Sequence, residues 1–136
     1  MNNDEKSLLI RTYFIFLCSG AVSTLTGAIL PDMQAEYNLS YSLRGLLLSF
    51  QQCGNLSAML LAGFLPYMIG RKKCTLILSS AIVVGILMFI LFSNPIVLII
   101  AFTFTGLGRG TLSNTSNVDV STITHNSSAG LNILHA

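Results

Sequence analysis

Three side-chain amides lie close together in a part of the chain that carries no charge. Gln51, Gln52 and Asn55 fall inside the uncharged stretch from Gly45 to Gly70. Each amide offers hydrogen-bond donors and an acceptor, a combination that suits a polar, uncharged solute such as a sugar. Gln51 and Asn55 are one helical turn apart and would share a helix face. Hydrogen bonding between helices explains the same residues equally well, so both interpretations stay open.

Arg109 is the second chemical candidate, because it directly follows another uncharged stretch, Cys74 to Gly108. A cation in hydrocarbon is costly unless it reaches water, a counter-charge or a ligand. Arg109 therefore either extends to a membrane interface or faces a solute or proton pathway. Asn114 follows on the same segment and is a further pathway candidate.

The elements that hold these side chains must be membrane helices. Only 9% of the 136 residues are charged and 52% are hydrophobic, whereas soluble domains carry about 25% charged residues. Apolar runs long enough to cross a bilayer predict helices at about 9–30, 43–69, 74–92 and 96–117, with the start of a fifth at 129–136. Pro31 and Pro95 are expected to end or begin helices, and the polar stretch 119–128 is expected to be a loop. The fold class is an all-α membrane protein.

Other classes of function find little support in the residues. The net charge of +2 is too small to suggest nucleic-acid binding. The chain has no phosphate-binding loop, nucleophile motif or paired carboxylates, so we expect no enzyme and no cofactor. Three widely separated cysteines and two isolated histidines do not have the spacing of a metal site.

The basic turn Gly70-Arg71-Lys72-Lys73 predicts the orientation. Together with Lys6 and Arg11 it puts five Lys and Arg residues on the side of the N-terminus, against Arg44 alone on the other. Cytoplasmic loops collect Lys and Arg, so we expect a multi-pass plasma-membrane protein with a cytoplasmic N-terminus. Within the expected fourth helix, Arg109 would then lie in the cytoplasmic half.

Small residues recur every four positions and predict close helix packing. The expected stripes are Gly54, Ala58 and Ala62 on the second helix, Gly106 and Gly110 on the fourth, and Gly20, Thr24 and Ala28 on the first. No acid lies deep in a predicted span. If protons drive a transport step, the titrating group is Asp32, Asp119 or a residue outside this chain.

The turn and its surroundings resemble the gating loop of the major facilitator superfamily of transporters. That loop has Gly, an aliphatic residue, an acid, a base and then Gly-Arg-Arg/Lys, and the matching residues here are Gly63, Leu65, Gly70, Arg71, Lys72 and Lys73. The acid and base positions are Tyr67 and Met68, so the charges that support gating in the family are missing. The glycines 106, 108 and 110 are similar to the family's Gly-x-Gly-x-Gly element in helix four.

The resemblance implies a twelve-helix secondary transporter of which this chain is an N-terminal fragment, working by alternating access with the remaining helices. Asn132 and His135 are similar to the Asn-x-x-His that opens helix five in the fucose-permease-like sugar branch. That likeness implies symport of a sugar with a proton. We expect no transport by these 136 residues alone. An exporter of the same superfamily and a complete four-helix membrane protein without transport activity are the alternatives.

Overall fold

The structure, a computed structural model, describes residues 3–92 and 94–123. These residues form four α-helices: α1 (Asn3–Glu36), α2 (Tyr41–Ile69), α3 (Arg71–Leu91) and α4 (Pro95–Ile123). The all-α fold class is therefore confirmed for the described part of the chain. The expected start of a fifth helix at 129–136, with Asn132 and His135, lies outside the described residues.

The first helix is longer than the sequence indicated. It continues through Pro31 to Glu36, so the predicted end at Pro31 is wrong. A proline removes one backbone donor from a helix, but membrane helices tolerate it where neighbouring contacts compensate. Those contacts come from Leu30, which is buried, and from Met33, which packs against the same apolar cluster.

That apolar cluster holds the ends of three helices together. Its buried members come from the end of α1, the link to α2, the start of α2 and the start of α4: Leu30, Leu39, Leu47, Leu98 and Phe102. The ring of Phe102 also meets Phe89 of α3 edge to face, with centroids 5.0 Å apart. The cluster therefore connects all four helices at the end of the bundle opposite the basic turn.

The basic turn is tight because Gly70 adopts a left-handed backbone conformation, with φ of 84°. Its N–H donates to the carbonyl oxygen of Pro66, which closes α2, and its own carbonyl accepts from Cys74 in α3. A residue with a Cβ is strained at this φ, so glycine suits the position. The turn leaves α2 and α3 antiparallel, with Arg71 at the first position of α3.

Helix α4 occupies the centre of the bundle and contacts each of the other three helices. Gly106 and Gly110 face α2, where an added Cβ would collide with the backbone oxygen of Gln51 and with Asn55. Gly108 faces α3 in the same way, so the three glycines serve two different interfaces. Small residues at these positions let the helix backbones approach closely, which drives association in lipid.

The neighbouring helices contribute glycines of their own to these interfaces. Gly54 of α2 lies against Thr103, and Gly85 of α3 lies against Ala101 and Thr105. Together with buried Ala58 this confirms the packing stripe predicted on α2. Gly20, in the stripe predicted on α1, makes no such close contact, because a Cβ there would meet nothing within 4 Å.

Three of the four described helices are long and apolar enough to cross a membrane: Lys6–Glu36, Arg71–Leu91 and Pro95–Thr122. The expected span in α2 has the length but not the apolarity, because the amides Gln51, Gln52 and Asn55 interrupt it. Outward-facing Leu60, Leu76 and Ile90 are 77%, 73% and 74% exposed, which suits contact with lipid and not with water.

Helix α4 also extends beyond its predicted end. Residues 119–123 are helical, so the expectation that a loop begins at Asp119 is wrong. Val120 is fully buried, and Asp119 pairs with Arg71, so tertiary contacts stabilise a turn that is polar in sequence. Arg109 lies 14 residues from Pro95 and 14 residues from Ile123, where the described residues end.

Candidate functional site

The amides of α2 lie on two different faces. Gln51 is only 5% exposed, and its backbone lies against Gly106 of α4. Asn55 is half-buried one turn later, with its side-chain oxygen against Gly110. Gln52 is exposed and accepts a long hydrogen bond from Asn55 Nδ2 at 3.5 Å. The structure therefore brings Gln51 and Asn55 to α4 and leaves Gln52 on the outside of the described bundle.

Arg109 turns toward α1. One of its terminal nitrogens donates a hydrogen bond of 2.6 Å to the hydroxyl oxygen of Ser23. Both residues are half-buried. Arg109 lies about 21 Å along the helix from Pro95, and its side chain contacts α1.

The Arg109–Ser23 contact and Asn55 lie at the same level of the bundle. Gly110, which contacts Asn55, is the neighbour of Arg109 in the chain. Helices α1 and α2 hardly contact each other, and α4 lies between them. Arg109 is on the side of α4 that faces α1, and Asn55 packs on the side that faces α2. We call this set of residues, Gln51, Asn55, Arg109 and Ser23, the polar layer.

Two further asparagines follow along α4. Asn114 is half-buried and makes no hydrogen bond within the described part of the chain. The side-chain oxygen of Asn117 is buried, also without a hydrogen-bond partner among residues 3–92 and 94–123. A buried acceptor without a partner is costly, so it calls for a donor from water, a ligand or another segment. Asn132 and His135 lie outside the described residues.

The basic turn forms a contact that links α3 to the end of α4. Arg71 and Asp119 are 2.7 Å apart in a salt bridge, with side chains 48% and 26% exposed. Lys72 and Lys73 are exposed and form no ion pair within the described residues. Of the upstream motif residues, Gly63 is exposed with open space around it, and Leu65 is half-buried. Tyr67 is 90% exposed, so nothing in the described bundle replaces the missing acid there.

Breaking the Arg71–Asp119 pair should cost little, because both side chains are partly exposed. A double-mutant cycle with Arg71→Ala and Asp119→Ala is expected to give a coupling energy of about 0.2–1 kcal/mol that shrinks as salt is added. The free energy of unfolding in bicelles measures it. The matched cycle with Lys72→Ala in place of Arg71→Ala should give no coupling, and equal coupling in both cycles would contradict the pairing.

A cavity of about 420 Å³ lies elsewhere, between α1, α3 and α4. Its walls are mostly apolar, including Leu25, Ile29, Ile86 and Phe89, and none of the residues predicted for the site lines it. Such a cleft offers few hydrogen-bond partners to a polar solute. We therefore place the candidate site at the polar layer and not in this cavity.

Sequence reasoning missed two partners in this region. Ser23 was not singled out, because a serine on an apolar helix has no distinguishing neighbours and its partner is 86 residues away. The pairing of Asp119 with Arg71 was also not foreseen, although both residues were noted at the same end of the bundle. The sequence signal for this salt bridge was a carboxylate near the end of one helix and an arginine at the start of the neighbouring helix.

Comparison with known proteins identifies the family. The model of the Major Facilitator Superfamily matches residues 12–131, which covers all four helices except the first turns of α1. No curated protein and no solved structure matched the chain. The family match agrees with the apolar helices, the glycine-packed α4 and the basic turn, and it indicates a membrane transporter. The chain belongs to the major facilitator superfamily.

Proposed function

We propose that this chain is part of a secondary transporter that moves a small polar solute by alternating access, with the solute bound at the polar layer. The observation that carries the proposal is the burial of Gln51 and Asn55 against α4, beside Arg109 and Ser23. Polar side chains in the middle of a membrane bundle are costly, and they commonly mark substrate or ion pathways. Sites in such transporters lie near the bilayer midplane, and we propose the same depth for this layer.

A sugar is the solute class that the amides favour. Each amide can donate to one hydroxyl and accept from another, so a pair of them one turn apart suits a ligand with neighbouring hydroxyl groups. Membership of the fucose-permease-like branch, and symport with a proton, rest on the resemblance of Asn132 and His135. Asp32 and Asp119 are the acids we propose for proton coupling within this chain.

We further propose that the basic end faces the cytoplasm of the cell and that the Arg71–Asp119 pair contributes to closing that side. The pair joins α3 to α4 where the family's loop has other charges. The excess of Lys and Arg at this end supports the orientation. Modification of a single introduced cysteine near Lys72 by a membrane-impermeant thiol reagent tests it, with Cys18, Cys53 and Cys74 replaced by serine. Labelling of intact cells would contradict the orientation.

The solute proposal is tested by binding to the 136-residue chain in nanodiscs, since binding does not require a complete transport cycle. Isothermal titration with a panel of neutral monosaccharides should give saturable binding. Gln51→Leu and Asn55→Leu should each weaken it by about 2- to 10-fold, because each removes hydrogen bonds worth about 0.5–1.5 kcal/mol.

Ser57→Leu is the matched control, because Ser57 lies on an exposed face of the same helix. Its hydroxyl donates only to the backbone oxygen of Cys53. Equal weakening by Ser57→Leu and Asn55→Leu, with all three proteins folded, would show that binding does not involve the polar layer. Absence of saturable binding across the panel would count against a sugar as the solute.

A further inference from the structure

The charge of Arg109 has no partner in the described part of the chain. A guanidinium is always protonated in proteins and carries five N–H donors. Its contact with the neutral hydroxyl of Ser23 uses one donor and supplies no counter-charge. Among the side chains that the structure describes, residues 6–92 and 94–122, the salt bridge is that of Arg71 with Asp119.

The acids of the described helices do not reach Arg109. Asp119 is ten residues further along α4, or about 15 Å along the axis, and it is already paired. Asp32 and Glu36 follow Ser23 on α1 by nine residues or more, a distance of at least about 13 Å along the helix, and both carboxylates are exposed. The two acids at the start of α1, residues 4 and 5, precede Ser23 by 18 residues or more, about 27 Å along the helix. Among the described residues, Arg109 therefore has no counter-charge and one donor in use.

An unpaired cation within a membrane-spanning helix is unfavourable by itself, and a bound anion would remove most of that penalty. The planar fork of a guanidinium fits a carboxylate or phosphate through two parallel hydrogen bonds. The neighbouring amide of Asn55 would supply donors and an acceptor for the uncharged part of the same ligand.

We infer that the solute of this transporter is a hydroxylated organic anion, such as a sugar acid, whose acidic group binds Arg109. The inference rests on the proposed solute site and makes its chemistry more specific. Arg109 and Ser23 bind the acidic group on the α1 side of α4, and Asn55 contacts hydroxyl groups on the α2 side. A neutral sugar would leave the charge of Arg109 without a partner and should bind more weakly.

The test compares D-glucuronate with D-glucose, two probes with the same ring and different charge. Binding to the 136-residue chain is measured by titration in nanodiscs of zwitterionic phosphatidylcholine, which carry no anionic lipid headgroups. We expect glucuronate to bind about 10- to 100-fold more tightly than glucose, since hydrogen bonds to charged groups are the strong ones. Glucose 6-phosphate, as a third probe, distinguishes a carboxylate site from a phosphate site.

Substitutions test which residue causes the preference for glucuronate. Arg109→Gln should abolish the preference, so that glucuronate and glucose bind this variant with similar affinity, and Arg109→Lys should retain part of the preference, since a lysine keeps the charge but not the fork. Lys72→Gln, which removes one positive charge at the basic end, should leave the preference unchanged. If the Arg109→Gln variant does not fold, the unsubstituted protein is measured by nitrogen NMR of its arginine side chains. One guanidinium signal should then shift on addition of glucuronate and not on addition of glucose.

The outcomes separate this inference from the proposed function. If glucose binds as tightly as glucuronate, and Asn55→Leu weakens both, the solute site stands and the anionic class is wrong. If the preference for glucuronate persists in Arg109→Gln, the charge lies elsewhere and the assignment to Arg109 is overturned. If none of the three probes binds, both the anionic class and the polar-solute site fail.

Discussion

Replacing Phe102 with alanine is expected to lower the free energy of unfolding by about 2–4 kcal/mol. Phe102 is fully buried between three helices, and its ring meets Phe89 at 83° with centroids 5.0 Å apart. Truncation leaves a cavity and removes that aromatic contact. We place the expected loss somewhat below that of a soluble core, because lipid and not water replaces the contacts when membrane helices separate.

Phe104 provides the control on the same helix. It is 40% exposed, so Phe104→Ala should cost less than about 1 kcal/mol. Both variants are measured by reversible unfolding with sodium dodecyl sulfate in bicelles. Equal losses at the two positions would mean that Phe102 does not occupy the core of the bundle as the structure describes.

Gly106→Ala is expected to destabilise the protein by about 1–3 kcal/mol, although alanine is the better helix former. An added Cβ would lie inside contact distance of the backbone oxygen of Gln51. A backbone oxygen cannot rotate away as a flexible side chain can, so α2 and α4 must separate. Separation also disturbs the polar layer, because Gln51 and Asn55 lie in this interface.

Gly20→Ala should not lower the free energy of unfolding. A Cβ at Gly20 meets nothing within 4 Å, so the substitution should be neutral or stabilise by up to about 1 kcal/mol through helix propensity. Distances between spin labels on α2 and α4 should increase only for Gly106→Ala. A stabilising effect at both glycines would contradict the close approach of α2 and α4.

The shared direction of two of the amides could be predicted because it depends on residue type and local spacing. Gln51 and Asn55 are one turn apart, so they are expected to face the same neighbouring helix. The structure shows that this helix is α4. The same reasoning placed Gln52 in the site, but Gln52 lies on the outer face. Gln52 lies about 100° around the helix from Gln51, at the edge of any face that the three amides share, and only packing decides whether it faces inward.

The end of α4 is a second example of this limit. The sequence predicted that α4 would end before Asp119. The salt bridge to Arg71 and the burial of Val120 extend it to Ile123. A polar stretch that looks like a loop can remain helical when neighbouring elements supply its contacts. Such contacts cannot be predicted from the local sequence.

The sequence by itself determined the class of this protein, its helical architecture and its transporter family. These follow from apolar length, from the basic turn and from glycine spacing, all of which act over a few turns of chain. Tertiary structure decided which helix is central, which amide faces inward and that Arg109 meets Ser23 instead of a carboxylate. Those outcomes depend on contacts between residues far apart in the chain, such as the 86-residue separation of Ser23 and Arg109. They are set by how closely backbones can approach, because in lipid packing and polar pairing drive the association of helices.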